Sequence, residues 1–256
     1  MTPRTPTLAV SLAALLTLGS AASAVAKRVQ TPTLLDVARE EIAEELLLDV
    51  GIELFADGLP TNDYAALAEL EAEDGVYEDV RRAEGRFIAV HLMDTLQSTG
   101  HWGAVRILPE AAGEVDLRVG GRIVESSGYE LEVEIWVHDA TGKKWLERDY
   151  KEVADAGHYR DDLVREPFQS LYNTIANDLR DKLERRDAEE RLEIRRTTAM
   201  RFASDLAPDA FASYVERDRR GRIKAVRLPA DGDVMMARVE RIRDRDDLFV
   251  DTLSAH

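Results

Sequence analysis

The spacing of apolar and polar residues changes several times along the chain, and each spacing predicts an element. Between Leu46 and Phe55, Val50, Ile52 and Leu54 alternate with Asp49 and Glu53. A period of two marks a strand with one buried face, and Gly58 and Pro60 stop it. From Glu78 to Thr99 the period lengthens: Ile88, Leu92 and Leu96 fall four apart, with Ala89 and Met93 beside them. That is one apolar stripe on a helix. Gly100 follows as the left-handed residue that commonly ends one. Gly85 inside the helix costs about 1 kcal/mol against alanine, so a close packing contact is expected there.

Three strands come next, Trp102 to Leu108, Val115 to Ser126 and Tyr129 to His138. In the second, Gly120-Gly121 implies a bulge or a close backbone approach. The third alternates strictly, Leu131, Val133, Ile135 and Val137 against Glu130, Glu132, Glu134 and Trp136. Asp139-Ala140-Thr141-Gly142 reads as a hairpin turn, with Lys143 to Val153 as the returning strand. On its wet face Glu132 and Glu134 are expected to pair with Lys144 or Arg148. The clearest helix starts at Pro167, where Phe168, Leu171, Tyr172, Ile175, Ala176, Leu179 and Leu183 form one continuous face. Asn173 and Asn177 fall one turn apart at its edge and are read as hydrogen-bonded edge residues.

Past Leu183 the pattern turns charged. Residues 180–201 hold eight bases and six acids, which predicts a solvent-exposed helix laced by ion pairs. Pro208 to Tyr214 reads as a short helix, Arg222 to Leu228 as a strand, and Asp231 to Leu253 as a helix with Met235, Val239, Ile242 and Leu248-Phe249 inward. The pattern as a whole predicts an α+β fold: a mostly antiparallel sheet of four or five strands packed against two helices, plus a helical, charged C-terminal extension. The expected divisions are 1–26, 27–45, 46–185 and 186–256.

The first of these reads as a secretory signal peptide. Arg4 is the only charge before Lys27, Leu8 to Leu18 is apolar apart from Ser11 and Thr17, and Ala22-Ser23-Ala24 or Ala24-Val25-Ala26 fits a cleavage site. The apolar run is too short to span a bilayer, which takes about 20 residues. The expected location is the periplasm of a Gram-negative cell, soluble or peripherally associated, with no transmembrane span in the mature chain.

Charge sharpens the picture. The chain has 256 residues, 50 acids, 34 bases and no cysteine, for a net charge of −16. A lack of cysteine excludes disulfides, thiol nucleophiles and lipidation at cysteine, and the acidic balance argues against nucleic acid as a partner. Residues 31–80 carry fifteen acids and one base, whereas residues 216–227 carry six bases and two acids. That basic stretch is suited to the acidic N-terminal segment, to anionic cell-wall material or to a membrane surface, or to ion pairs within the protein itself. With Trp136 on the wet sheet face, Arg219, Arg220, Arg222 and Lys224 form the candidate partner surface.

No catalytic motif stands out. His91, His101, His138, His158 and His256 include no pair at metalloprotease spacing, and no nucleophile elbow or phosphate-binding loop is present. No cofactor is expected. Acid density at 57–79 leaves a second reading open, a carboxylate-dependent cell-wall hydrolase or a calcium-dependent binding protein using that segment.

Three stretches carry a family likeness: Leu96 to Val105 at the helix exit, Asp116 to Ile123 in the second of the three strands, and Val137 to Arg148 across the hairpin. Over residues 46–185 the chain resembles the periplasmic α/β domain of bacterial envelope auxiliary proteins, among them ABC-transporter auxiliary lipoproteins, penicillin-binding-protein activators and the curli secretion channel. The tail resembles only uncharacterised exported proteobacterial proteins. The resemblance implies a non-enzymatic, protein-binding or scaffolding module with an envelope protein as partner. The chain departs from the lipoproteins in lacking the lipidated cysteine.

Overall fold

A computed structural model describes residues 26–61, 63–108, 114–154 and 166–254. The signal-peptide reading, His158 and the terminal His256 lie outside them. The elements are β1 (Lys27–Arg28), β2 (Val50–Glu53), α1 (Tyr64–Asp74), α2 (Glu78–Ser98), β3 (Val105–Leu108), β4 (Leu117–Ser126), β5 (Glu130–Asp139), β6 (Lys144–Val153), α3 (Gln169–Leu183), α4 (Ala188–Leu206), α5 (Pro208–Phe211), β7 (Val215–Arg217), β8 (Ile223–Ala225) and α6 (Val234–Ser254).

The class is α+β, as the pattern predicts, but the sheet is larger and more mixed than expected. Six strands run in the order β1-β6-β5-β4-β2-β3. β4, β5 and β6 form an antiparallel meander, while β1 joins β6, and β2 joins both β3 and β4, in parallel. Three of the five pairings are therefore parallel, but they are short, and most paired residues lie in the antiparallel meander, as expected. The added strand is β1, two residues at the edge, too short for hydropathy to show; β3 falls within the strand expected over Trp102 to Leu108. Helices were undercounted as well. α2 and α3 cover one face of the sheet, as expected, while α4 packs on β7, β8 and α6, and α6 packs on β3.

The core lies between that face and the two helices. Ile88, Leu92 and Leu96 from α2 and Leu171, Ile175 and Leu179 from α3 meet Ile52, Val119, Ile135, Val137 and Tyr150 from the strands, all of them buried. The glycines explain how closely the layers fit. A Cβ at Gly85 would collide with the Phe55 carbonyl, so the close contact expected of that glycine is present. Gly120 and Gly121 carry no bulge between them. Each makes room for an aromatic ring on its own side of the sheet, Trp136 over Gly120 and Phe55 over Gly121. Gly100 and Gly142 take the positive φ expected at a helix end and a hairpin turn.

The uncovered sheet face is a ladder of opposite charges, with partners that differ from those expected. Glu132 reaches Lys151, directly across from it in register, and Glu134 reaches Arg122 on the other neighbouring strand. Arg148 turns toward α3 and pairs with Asp178 at 3.0 Å.

Two features of the tail also depart from expectation. α4 is not a solvated helix. It buries Ile194, Thr197, Thr198, Met200 and Ala203, and Met200 and Ala203 build a second small core with Phe211 and Val239. In α6, Val239 and Val250 face inward, whereas Met235, Ile242, Leu248 and Phe249 are exposed. The inner face of α6 is set by ion pairs: Arg106 on β3 reaches Asp251 at 2.6 Å and Asp247 at 4.0 Å. A polar contact of this kind is invisible to hydrophobic spacing.

Candidate functional site

The amino ends of β2, β3 and β4 meet the β5–β6 turn at one end of the sheet, and acidic side chains tie this end together. Asp116 accepts hydrogen bonds from the Asp49 amide at 3.0 Å and the Thr198 hydroxyl at 2.5 Å. Asp49 accepts from the Ala104 amide at 2.9 Å. Burial pushes the Asp116 carboxyl above the usual carboxylate range, with the hydrogen bond from Thr198 opposing it. Asp139 is fully engaged: it accepts from the Thr141 amide and hydroxyl, the Lys143 amide and the Trp145 indole N–H. Arg186 lies over the Trp145 ring at 5.0 Å, and Arg201 donates to the Ala140 carbonyl and to Glu114. These contacts fix α4 across the end of the sheet.

On that platform rests the β7–β8 hairpin. Its first anchor is the Ile223 amide, which donates to the Thr141 carbonyl at 2.9 Å. Its turn is built by Asp218, whose carboxylate accepts from the Arg220 and Arg222 amides, and by Gly221 at positive φ. Between hairpin, turn and α4 opens a cleft of about 420 Å³. Ile194, Ile223 and Val226 give it an apolar floor, and its walls carry Lys143, Glu190, Glu193, Arg217, Arg222 and Lys224. Glu190 is held by Lys143 and Arg186, and Glu193 by Lys224 at 3.4 Å. Arg217, Arg219, Arg220 and Arg222 are exposed and make no ion pair among the described residues.

Of the five residues singled out from the sequence, Arg222 and Lys224 line the cleft and Arg219 and Arg220 stand at the hairpin tip beside it. Trp136 lies elsewhere, half-buried over Gly120 on the open sheet face. The basic stretch makes no ion pair with the acidic segment 31–80 among the described residues; Lys224 turns to α4 instead. Asp116, Asp139, Thr198 and Arg201, which build the platform, were not singled out. The one signal in the sequence was Asp139 at a hairpin turn; a buried Thr–Asp bond spanning 82 residues of chain leaves no local pattern.

Four of the acids of 57–79 have structural partners. Asp57 accepts from the Leu59 amide, Asp63 caps α1 by accepting from the Ala66 amide, and Glu78 and Asp79 pair with Arg82. Among the described residues no three His, Asp or Glu side chains are grouped so as to hold a metal ion. No described helix is long and apolar enough to cross a membrane.

No family model matches this chain. A search of curated proteins returns no match either.

Proposed function

We propose that this is an exported, non-enzymatic protein of the bacterial envelope, and that it acts by docking an acidic segment of another envelope protein on the β7–β8 hairpin and its cleft. One observation carries the reading: four exposed guanidinium groups without ion partners among the described residues are concentrated on a single hairpin, in a chain whose net charge is −16. Exposed arginine is well suited to carboxylates, which its planar fork engages in pairs. The apolar floor beneath gives a bound segment something to bury, and interface centres favour such a mixture of apolar contact and arginine.

Other partner classes fit less well. The large negative net charge repels a nucleic acid as a whole even where one hairpin is basic. Three carboxylates at the cleft are already engaged, Asp139 by four donors and Glu190 and Glu193 by cations. The resemblance to envelope auxiliary domains points the same way.

The test is charge reversal at the tip. Arg219→Glu with Arg222→Glu, both exposed positions, should leave the melting temperature unchanged within error. Crosslinking in intact cells should recover an acidic envelope protein with the natural chain and lose it with the double variant. Recovery of the same species by both, or of none by the natural chain, would overturn the reading.

A further inference from the structure

The last helix, α6, is held along one side. Val239 and Val250 are buried, Asp247 and Asp251 meet Arg106 on β3, and the helix also packs on α4. Its outward face has a make-up of its own. Arg238, Arg241 and Arg245 follow one another at spacings of three and four, which places them in one row along the helix. All three are exposed, and none makes an ion pair among the described residues. Apolar side chains frame the row. Val234 and Met235 precede Arg238 by four and three residues, Ile242 sits between Arg238 and Arg245 at the same spacings, and Leu248 and Phe249 follow Arg245 by three and four. All five are exposed, Leu248 by 66% and Phe249 by 61%. The acids run elsewhere: Glu240, Asp244, Asp247 and Asp251 form a second row at the same spacings, the row that leads to Arg106. Asp246 stands at the margin of the outward face, one turn beyond Ile242.

This arrangement selects its partner by charge and by layering. Like charges one helical turn apart repel, so an anionic surface laid along the row is attracted and also relieves that repulsion. Hydrocarbon side chains interleaved with the arginines ask for a surface with hydrocarbon just beneath its charge. A helix whose open face mixes arginine with Phe, Leu and Ile lies in the plane of a bilayer interface, its apolar side chains at the acyl boundary and its basic groups among anionic headgroups. Arginine suits that border, because its stem is apolar and its head stays at the phosphate level. Shape agrees as well: 21 residues make a rod about 31 Å long with a convex outer side, which meets a flat surface along its length. A second copy fits less well, since face-to-face pairing would set the arginine row against itself. The net charge of −16 does not forbid the contact, because at physiological ionic strength exposed charges more than about 8 Å away are largely screened.

We propose that the outward face of α6 docks on an anionic phospholipid bilayer, with Arg238, Arg241 and Arg245 on headgroup phosphates and Leu248 and Phe249 at the acyl boundary. This contact is separate from the arginine hairpin and independent of what docks there.

Fluorescence of the full chain on vesicles tests it. The vesicles are an equal mixture of phosphatidylglycerol and phosphatidylethanolamine, or phosphatidylcholine alone, each brominated along the acyl chain as a quencher. Phe249→Trp puts the reporter on the outward face, and Glu240→Trp puts it on the acid row. The added emission at 249 should shift to the blue and be quenched by the anionic vesicles but not by phosphatidylcholine, whereas emission at 240 should not be quenched by either. Arg238→Gln with Arg241→Gln, both exposed, should leave the melting temperature unchanged and weaken binding to the anionic vesicles by about tenfold or more. Arg219→Glu with Arg222→Glu should keep that binding. The proposal is overturned if quenching at 249 is absent, is equal on phosphatidylcholine, is matched at 240, survives the Arg238 and Arg241 changes undiminished or is lost with the Arg219 and Arg222 changes. A blue shift at 249 that grows with protein concentration in the absence of vesicles would assign the face to a second copy and overturn it too.

Discussion

Asp116 is almost wholly removed from solvent, and burial raises its carboxyl above the usual range. The sign of the consequence follows from linkage. In the unfolded chain this group titrates near pH ~4, and in the folded chain it titrates higher. Between those values the folded state holds the extra proton, so the stability contributed by Asp116 is greatest near the lower value and falls as pH rises through the higher one. Asp116→Asn removes the titration while keeping the shape and an acceptor for the Asp49 amide. Urea unfolding followed from about pH 4 to about pH 7 should show a shallower decline in stability for the variant than for the natural chain; equal slopes would refute this account of the platform. Gly85 allows a second residue-scale test, because two effects oppose each other there. Gly85→Ala gains about 1 kcal/mol of helix propensity. It also drives a Cβ into the Phe55 carbonyl, which is backbone and cannot swing aside, and overpacking costs about 1–3 kcal/mol. The net change in denaturant unfolding should be destabilising. A stabilised variant would mean that the α2–β2 contact is looser than described.

Among the elements, the N-terminal segment shows how a polar chain can be held without a hydrophobic pattern. It runs across α3 as a strap. Asn177 accepts from the Asp36 amide and donates to the Leu34 carbonyl, Asn173 donates to the Thr33 carbonyl, and Arg180 pairs with Asp36 at 2.6 Å. The two asparagines at the helix edge thus use their amides to take the place of strand partners. Asn177→Ala removes two of these bonds and should cost about 1–2 kcal/mol, with the Asp36 amide exchanging faster while the amides of α3 keep their protection. Unchanged exchange at Asp36 would show that the strap is held by other contacts. The same comparison explains what was legible in advance. The strands around the meander and the helices α2 and α3 follow from their apolar periods because each buries a hydrocarbon face. The strap, the threonine face of α4 and the ion-paired face of α6 bury polar groups against specific partners far along the chain, as Thr198 does with Asp116 and Asp251 with Arg106. Spacing alone does not carry that information. At the candidate site the split is similar: the basic run 216–227 stands out at once, whereas the platform beneath it does not.

For the molecule as a whole, charge is arranged by region. The acidic stretch 31–80 and the basic hairpin are not spent on each other among the described residues. If the hairpin is the docking site, electrostatics should govern how fast a partner arrives and how salt weakens it. Raising ionic strength from low to physiological values before crosslinking should reduce partner recovery, and Trp136→Ala, on the open sheet face away from the cleft, should leave it unchanged. Salt-independent recovery would point to an apolar interface elsewhere, for which the exposed Leu248 and Phe249 of α6 are the nearest alternative.

The most direct measurement places a photo-crosslinking amino acid at position 220, on the hairpin tip, and at position 182 on α3 as a control, and irradiates living cells. The account predicts a defined crosslinked species from position 220 that is absent from position 182 and disappears when Arg219 and Arg222 are both changed to glutamate. Equal crosslinking from the two positions, or none from position 220, would contradict it.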